Sequence, residues 1–387
     1  MKVALVHDYI GEFGGAERVL LALSEIYSDA PIYTAFTREG SFLEKLKGKT
    51  IKTSWAQKVP FFASYLHSPL RFLTPLIWGS FSRQLADYDV VITSASWYVT
   101  KGVVRRAKSE VKPVEICYCH TPPRYLYGYE TSVTPNWLIR TYSIIVNPFM
   151  RYYDFVSAQK VDYFITNSKN VAERIKKFYR RDAEVIYPPV EVVSGKSHFA
   201  KASRDGQLAK DYYLMVARIV GAKGIEMAVE AANRLNVPLK IAGEPGGFTK
   251  TLEQLKEKAN DNIEFLGFVS DKQLGNLYAN AKAFLALSRD EDFGMTLPEA
   301  MQAGTPVIAF RGGGYLETVV DPSTARSGQA ATGVFFEDYD VESLISAIKR
   351  LDKLKISSAD CKKQGEKFSK KIFQEKIKNF VNSKIKS

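Results

Sequence analysis

The strongest constraint on the fold is a repeated alternation of short apolar runs with helical patterns. The first series begins at residues 3–7 and continues through residues 32–36, 90–95, 115–119 and 163–168. Apolar runs of this length, separated by helices, are typical of a parallel sheet with crossover connections. The pattern therefore predicts an α/β fold, in which ligands bind at the carboxyl ends of the strands.

A second alternating series follows a polar stretch that has no periodicity, and it predicts a second doubly wound domain. A chain of 387 residues is long enough for two domains of ordinary size. The predicted divisions are an N-terminal domain over 1–195, a linker over 196–210, a C-terminal domain over 211–365 and an amphipathic helix over 366–387 that packs back on the N-terminal domain.

Composition narrows the class of protein. Hydrophobic residues make up 45% and charged residues 25%, which is typical of a folded globular protein. Three cysteines without metal-site spacing favour a reducing cytoplasm. We expect a soluble or peripheral protein, because no apolar run reaches the length of a secretory signal or a membrane span.

The formal charge of +12 suits a phosphate-bearing ligand, an anionic lipid or a nucleic acid, and does not choose among them. No helix-turn-helix, zinc-finger or RNP-like motif is present, so we expect no nucleic-acid partner.

The most informative segment covers residues 288–310. An apolar strand ends in an acidic loop, and a helix begins near Thr296, so that Glu291 lies in the loop and Glu299 in the first helical turn. The free N–H groups of a helix start attract anions. Carboxylates beside them can accept hydrogen bonds from sugar hydroxyls while the amides face phosphate. An acidic loop with a helix-start charge is the simpler alternative.

Two further segments carry chemistry after strands. Arg218 and Lys223 follow the first strand of the second series, where fixed cations suit a diphosphate. Gly14 and Gly15 lie between the first strand and its helix, where backbone amides can approach a phosphate. His120 directly follows a strand. Solvated cations, a tight turn and a structural histidine are the alternatives.

The spacing of Glu291 and Glu299, in the setting EDFGMTLPEAMQAGTPVIA, resembles the E-x7-E motif of family 4 glycosyltransferases, which have the GT-B fold. The resemblance implies that Glu291 contacts the transferred hexose and Glu299 the ribose. It implies that the residues between them offer backbone amides to the sugar and phosphates: Phe293, Gly294, Met295, Thr296 and Leu297. Arg218 and Lys223 correspond to the cations that hold the diphosphate, and Gly15 belongs to the glycine loop that faces the donor.

The segment CHTPPRY, residues 119–125, is similar to a stretch of bacterial family 4 enzymes that build O-antigen-type polysaccharides. In those enzymes the histidine that corresponds to His120 contacts the donor sugar. The resemblance thus implies a retaining hexosyltransferase, with His120 and Glu291 as catalytic residues and a donor bound in a cleft between two Rossmann-like domains. GDP-mannose is the first candidate donor and a UDP-hexose the second. The acceptor would be a glycan or a polyprenyl-linked glycan in surface polysaccharide synthesis.

No metal and no cofactor are expected. Residues 290–292 match the DxD metal signature of another glycosyltransferase fold, but they lie inside the E-x7-E segment, and two cations already suit the diphosphate. A GT-B-fold nucleotide-sugar epimerase and a non-catalytic polyanion-binding protein are the alternative functions.

Residues 55–85 and 135–155 mix Trp, Phe and Tyr with Lys and Arg. Such composition is typical of helices at a membrane interface, and also of an aromatic core. The first interpretation predicts peripheral contact with an anionic membrane, at the inner face of the cell membrane.

Overall fold

A computed structural model describes residues 1–11, 13–104, 113–129, 137–192, 211–220, 223–245 and 249–385. The chain forms two compact units: residues 1–189 together with 370–387, and residues 190–369. The predicted linker, 196–210, lies outside the described residues.

The first unit is built on a seven-stranded sheet whose neighbouring strands are all parallel. Its strands are β1 (Val3–His7), β2 (Ile32–Thr34), β3 (Ile51–Thr53), β4 (Val90–Ala95), β5 (Val114–Cys119), β6 (Tyr163–Thr166) and β7 (Glu184–Val185). The order is β3-β2-β1-β4-β5-β6-β7, so the order reverses between β1 and β4. Helices cover both faces of such a sheet, which is why β1 and β4 are buried along their whole length and have continuous apolar sequences.

Seven helices of the first unit connect or flank these strands. They are α1 (Gly15–Ile26), α2 (Ser41–Lys45), α3 (Thr74–Gly79), α4 (Ser82–Leu85), α5 (Arg124–Tyr127), α6 (Trp137–Lys160) and α7 (Lys169–Tyr179). Short 3-10 or π turns occur at Trp55–Lys58, Phe62–Leu66 and Arg71–Leu73.

The last helix of the chain, Lys370–Ile385, belongs to the first unit. It buries Phe373, Ile377 and Val381, spaced four residues apart, in the core formed with α1 and β1. Lys370 Nζ donates to Glu25 Oε1 at 2.8 Å. This helix begins four residues later than the predicted start at 366, because residues 358–366 form a separate helix of the second unit.

The second unit repeats the same topology in a six-stranded parallel sheet of order β10-β9-β8-β11-β12-β13. Its strands are β8 (Tyr212–Val216), β9 (Leu239–Ala242), β10 (Ile263–Gly267), β11 (Ala281–Ala286), β12 (Val307–Phe310) and β13 (Gly333–Phe336). Its helices are α8 (Ile225–Leu235), α9 (Thr249–Lys258), α10 (Asp271–Asn280), α11 (Thr296–Gln302), α12 (Val341–Asp352) and α13 (Ser358–Glu366), with a 3-10 turn at Gly313–Glu317.

Local sequence explains where several helices begin. Ser168 and Asp340 accept hydrogen bonds from the backbone N–H groups of Val171 and Ser343 at the starts of α7 and α12. Ser270 and Gln273 form a capping box at α10. The predicted fold class, two Rossmann-like α/β sheets, is confirmed.

Candidate functional site

In the second unit, the strand order reverses between β8 and β11, and the loops after these two strands carry the predicted charged residues. Lys223 Nζ donates to Glu291 Oε2 at 2.7 Å, and the side chains are 29% and 21% exposed. Arg218 lies in the same loop as Lys223, with an exposed side chain. A lysine and a carboxylate are therefore held together at the carboxyl edge of the sheet and stay accessible to solvent.

Glycines allow the loop of Glu291 to pack closely against the loop after β12. Gly294 has a φ of +81°, and a Cβ there would lie 2.4 Å from Cε1 of Tyr315. The N–H of Gly314 donates to the carbonyl of Glu291 at 2.9 Å. Burial and the nearby charge of Glu291 raise the pKa of the Tyr315 hydroxyl, which keeps it protonated. The backbone around Glu291 is thereby fixed by a neighbouring loop.

Helix α11 begins at Thr296, as predicted, and Glu299 lies in its first turn. The Glu299 side chain is buried, and its Oε2 accepts a hydrogen bond from the hydroxyl of Tyr278 at 2.8 Å. Such a bond orients the carboxylate before any ligand arrives.

The five residues offered as amide donors differ in their surroundings. The Phe293 ring is buried against Phe368, with 5.5 Å between ring centroids, and Leu297 is fully buried. The N–H of Leu297 donates to the carbonyl of Gly294 at 3.1 Å, so this amide is engaged within the turn. Gly294, Met295 and Thr296 are partly exposed.

In the first unit, strand register brings three polar side chains together at the corresponding edge. His7 ends β1 and lies opposite Ser94 of β4. His7 Nδ1 lies 3.0 Å from Ser94 Oγ, and Ser94 Oγ lies 2.8 Å from Nε2 of His120. His120 directly follows β5, as predicted, and its backbone is held by hydrogen bonds to Ala95 and from Asn167.

His120 is neutral near physiological pH. Burial, with a smaller contribution from His7, lowers the pKa of His120 to about 3. The Ser94 hydroxyl has one proton to donate and two lone pairs that accept, so its roles toward the two rings depend on which nitrogens of His7 and His120 carry a proton.

Glu17 completes this chain and links it to the glycine turn. Its Oε1 lies 3.6 Å from His7 Nε2, and its Oε2 accepts the N–H of Gly14 at 3.0 Å. Burial raises the pKa of Glu17, but the bonds from His7 and Gly14 outweigh it, so the pKa is lowered overall. A carboxylate beside Nε2 favours the proton of His7 on that nitrogen. In the tautomer of His7 that carries its proton on Nε2 alone, Ser94 donates to His7 Nδ1 and accepts from His120 Nε2, which leaves Nδ1 of a neutral His120 as a hydrogen-bond acceptor.

Within each unit, the structure thus groups predicted residues. His120 and the glycine turn, with Gly15 exposed as the first residue of α1, are linked through Ser94, His7 and Glu17. Lys223, Glu291, Gly294 and Glu299 lie on adjoining loops and α11. The residues missed by the sequence analysis are Ser94, His7, Glu17, Tyr278 and the glycines 312–314. Of these, only the glycine run, which follows the apolar strand β12 and Arg311, carried a usable sequence signal.

Within the described residues, no group of three or more His, Cys, Asp and Glu side chains is placed to hold a metal ion. None of the helices in the described ranges is both long and apolar enough to cross a membrane.

Comparison with known proteins agrees with this architecture. The profile described as Glycosyltransferase Family 4 matches residues 13–193, and that described as Glycosyl transferases group 1 matches residues 199–368. The alpha-1,3/1,6-mannosyltransferase ALG2 of Candida glabrata is 23% identical over 90% of this chain and 84% of its own length. The ALG2 protein of Kluyveromyces lactis is 28% identical over 86% and 74%.

Among solved structures, Anabaena HepE in complex with UDP and glucose has a TM-score of 0.71, with 18% identity over 99% of this chain and 100% of that one. Two Rossmann-like units with these neighbours define a glycosyltransferase of the GT-B fold. The chain belongs to the glycosyltransferases whose N-terminal part is of family 4 and whose C-terminal part is of group 1. The predicted family is therefore confirmed, and an epimerase or a polyanion-binding protein is not favoured.

Proposed function

We propose that this enzyme transfers mannose from GDP-mannose to a glycan carried on a polyprenyl diphosphate, with retention of anomeric configuration and without a metal ion. The observation that carries the proposal is the Lys223–Glu291 pair at the carboxyl edge of the second sheet, next to the first turn of α11 that holds Glu299.

The second unit would bind the nucleotide diphosphate. Lys223 and Arg218 are cations on one loop, and both side chains are accessible enough to contact phosphate oxygens. On donor binding, Lys223 would exchange part of its contact with Glu291 for the diphosphate. Negative charge grows on the leaving diphosphate in the transition state, so a fixed cation there lowers the barrier. The buried, oriented Glu299 carboxylate would accept hydrogen bonds from the ribose hydroxyls.

The transferred sugar would contact Glu291, the accessible amides of the loop before α11, and His120. His120 does not act as a general base in this proposal, because its burial disfavours the charged form. Its Nδ1 would accept a hydrogen bond from a sugar hydroxyl. The acceptor hydroxyl then attacks the anomeric carbon from the face that the diphosphate leaves. The anomeric C–O bond to the diphosphate breaks, and an oxygen of the departing diphosphate takes the proton of the acceptor hydroxyl.

The relatives support mannose as the sugar, since their printed names describe alpha-1,3/1,6-mannosyltransferases. HepE, which was solved with UDP and glucose, keeps a UDP-hexose as the second candidate. We propose that the enzyme works in the cytoplasm, at the inner face of the cell membrane, where a polyprenyl-linked acceptor would be embedded.

The proposal is tested by incubating the enzyme, in EDTA, with GDP-mannose and a polyprenyl-diphosphate-linked glycan, and by determining the anomeric configuration of the product by NMR. An α-linked product from the α-linked donor is expected. An inverted product would overturn the retaining mechanism, and activity that appears only when a divalent cation replaces EDTA would overturn metal independence. Transfer from a UDP-hexose alone would correct the donor.

A further inference from the structure

The exposed large hydrophobic side chains of the described residues are concentrated in two segments of the first unit. Elsewhere only four isolated positions are of this kind: Met1, Phe268, Leu316 and Ile385. The concentrated ones are Trp55, Phe61, Tyr65, Phe72 and Leu76 in one segment, and Trp137, Leu138, Ile139, Ile144, Ile145, Phe149 and Tyr152 in α6. Contiguous exposed apolar surface of this kind marks an interaction site.

Six of the seven exposed hydrophobic side chains of α6 form one stripe along the helix, and Ile139 lies outside it. The stripe consists of positions 137, 138, 144, 145, 149 and 152. Their spacings of three, four and seven residues place them on one helix face. The opposite face is buried in the C-terminal half of the helix, at Met150, Asp154, Ser157 and Ala158. The outer face therefore contributes nothing to the core of the unit.

A buried ion pair holds the inner face of α6 in place. Lys101, in the loop after β4, donates to Asp154, and both side chains are buried. The hydroxyl of Tyr127 donates to the other oxygen of Asp154 at 2.7 Å. Because this paired charge is completely desolvated, rotating the helix to bury its outer stripe would expose or break the pair at high cost. The apolar stripe is thus presented outward by a rigid attachment.

The two exposed segments adjoin each other. The hydroxyl of Tyr142 on α6 donates to the carbonyl of Pro69 at 2.5 Å. Arg71 lies over the ring of Tyr142, 4.8 Å from its centroid, and donates to Asn147 at 3.4 Å. The exposed side chains of 61–76 and of 137–152 therefore belong to one surface, which we call the aromatic face.

The exposed charges within the two segments of the aromatic face have a single sign. Residues 55–85 contain no Asp or Glu, and α6 contains one, the buried Asp154. The exposed charged side chains of these segments are basic: Lys58, Arg83, Arg140, Arg151 and Lys160. Aromatic and aliphatic side chains bordered by basic ones match the boundary between headgroups and acyl chains of an anionic bilayer. A protein partner of ordinary composition would not require the lack of acidic groups.

We propose that the aromatic face is the surface by which this enzyme binds an anionic lipid bilayer, with α6 lying in the plane of the interface. The proposal deepens the peripheral membrane contact of the proposed function, but it depends only on the first unit. It would bring the enzyme to a lipid-anchored acceptor.

The test is flotation of the full chain with vesicles of phosphatidylcholine alone, and with vesicles containing about a third phosphatidylglycerol. The double variant Ile144→Glu/Ile145→Glu places charge on the stripe, where the side chains are 75% and 72% exposed. Phe268→Glu is the matched control, since Phe268 is 73% exposed and lies in the second unit. Circular dichroism checks that each variant is folded, and Trp137→Gln is a milder second variant of the same stripe.

We expect the wild type to bind the anionic vesicles and Phe268→Glu to bind like the wild type. The double variant should bind at least about tenfold more weakly. Indifference of the wild type to both vesicles would overturn the proposal, as would equal losses in the double variant and the control. A wild-type dimer that the double variant dissociates would assign the face to self-association instead. Nucleotide-sugar binding in solution, measured on the same samples, keeps failure of this proposal separate from failure of the proposed function.

Discussion

The two sheets of this enzyme share a strand order but carry different chemistry where that order reverses. At the edge of β1 and β4, the polar side chains of His7 and Ser94 are almost fully buried and bonded to one another. At the edge of β8 and β11, Lys223 and Glu291 are paired while about a quarter of each side chain stays exposed. One edge is a fixed, internally satisfied network, and the other holds charges that a ligand can reach.

This difference follows from what each edge is proposed to bind. A diphosphate is highly charged and needs accessible cations, which cannot be buried without a large desolvation cost. A neutral sugar hydroxyl needs a hydrogen-bond partner of fixed direction. The contacts of the His120 ring with Ser94 and of its carbonyl with Asn167 supply that direction, while burial lowers the pKa of His120 and keeps the ring neutral. Under the proposed function, the same strand order would support electrostatic binding of a diphosphate in the second unit and orientation of a sugar in the first.

The largest expected effect comes from removing the accessible cation. Lys223→Gln should lower the rate of transfer about a hundredfold or more, because a leaving diphosphate would lose its fixed charge. Lys240→Gln is the matched control, since Lys240 also pairs with a glutamate, Glu264, at 2.9 Å in the same unit. Steady-state kinetics checks this, and equal activity of the two variants would contradict the assigned role of Lys223.

A smaller loss is expected from displacing the loop of Glu291. Gly294→Ala combines a left-handed backbone with a Cβ 2.4 Å from Tyr315, and should weaken donor binding about tenfold. Gly267→Ala has the same backbone requirement, with φ +64°, but meets nothing within 4 Å. Each variant should lose about 1–2 kcal/mol of stability from the backbone conformation alone. Calorimetric donor binding separates the two, and normal affinity in Gly294→Ala would show that the loop position is not critical.

Substitutions at the buried edge of β1 and β4 should lower activity less. Ser94→Ala removes the hydroxyl between His7 and His120 and should lower kcat/KM about five- to tenfold, the effect of about one hydrogen bond. Thr93→Val is the control on the neighbouring residue of β4, because the Thr93 hydroxyl is buried without a hydrogen-bond partner. Ser94→Thr, which keeps a hydroxyl, should recover part of the activity. A loss in Thr93→Val equal to that in Ser94→Ala would indicate a packing effect only.

The protonation of His120 can be followed by NMR without an activity measurement. Histidine NMR signals, assigned with His120→Asn, should show no titration of His120 above about pH 4, since burial holds its pKa at about 3. The unfolded chain takes up a proton near pH 6.5 that the folded chain does not, so the free energy of unfolding falls as pH drops below that value. Titration of His120 near pH 6.5 would contradict its burial.

The sequence was sufficient for the fold because its information lies in local patterns. Fully buried parallel strands such as β1 and β4 appear as apolar runs, and glycines and capping residues mark where α1 and α10 begin. Shorter strands with weaker patterns were missed, among them β3 and β7. The C-terminal helix was predicted with a start too early by four residues, since a break at residues 367–369 has no strong signal.

Contacts that depend on register could not be read from the sequence. Ser94 is one of many serines in the chain, and it bridges two histidines only because β1 and β4 pair with His7 opposite Ser94. Residues 55–85 contain side chains of both predicted kinds: Trp78 and Phe81 are buried in the core, while Phe61 and Leu76 are exposed. Composition alone describes all four as aromatic or aliphatic, and only the packing separates them.

The central claim is that the charged side chains of the second unit, among them Lys223 and Glu299, bind a nucleotide-diphosphate sugar. The most direct measurement is calorimetric titration, in EDTA, of GDP-mannose, UDP-glucose, UDP-GlcNAc and UDP-galactose into the wild type and into the Glu299→Ala and Lys223→Ala variants. The account predicts saturable binding of one donor, GDP-mannose first, that both variants lose. Indifference of a folded wild type to every donor, or undiminished binding in both variants, would contradict it.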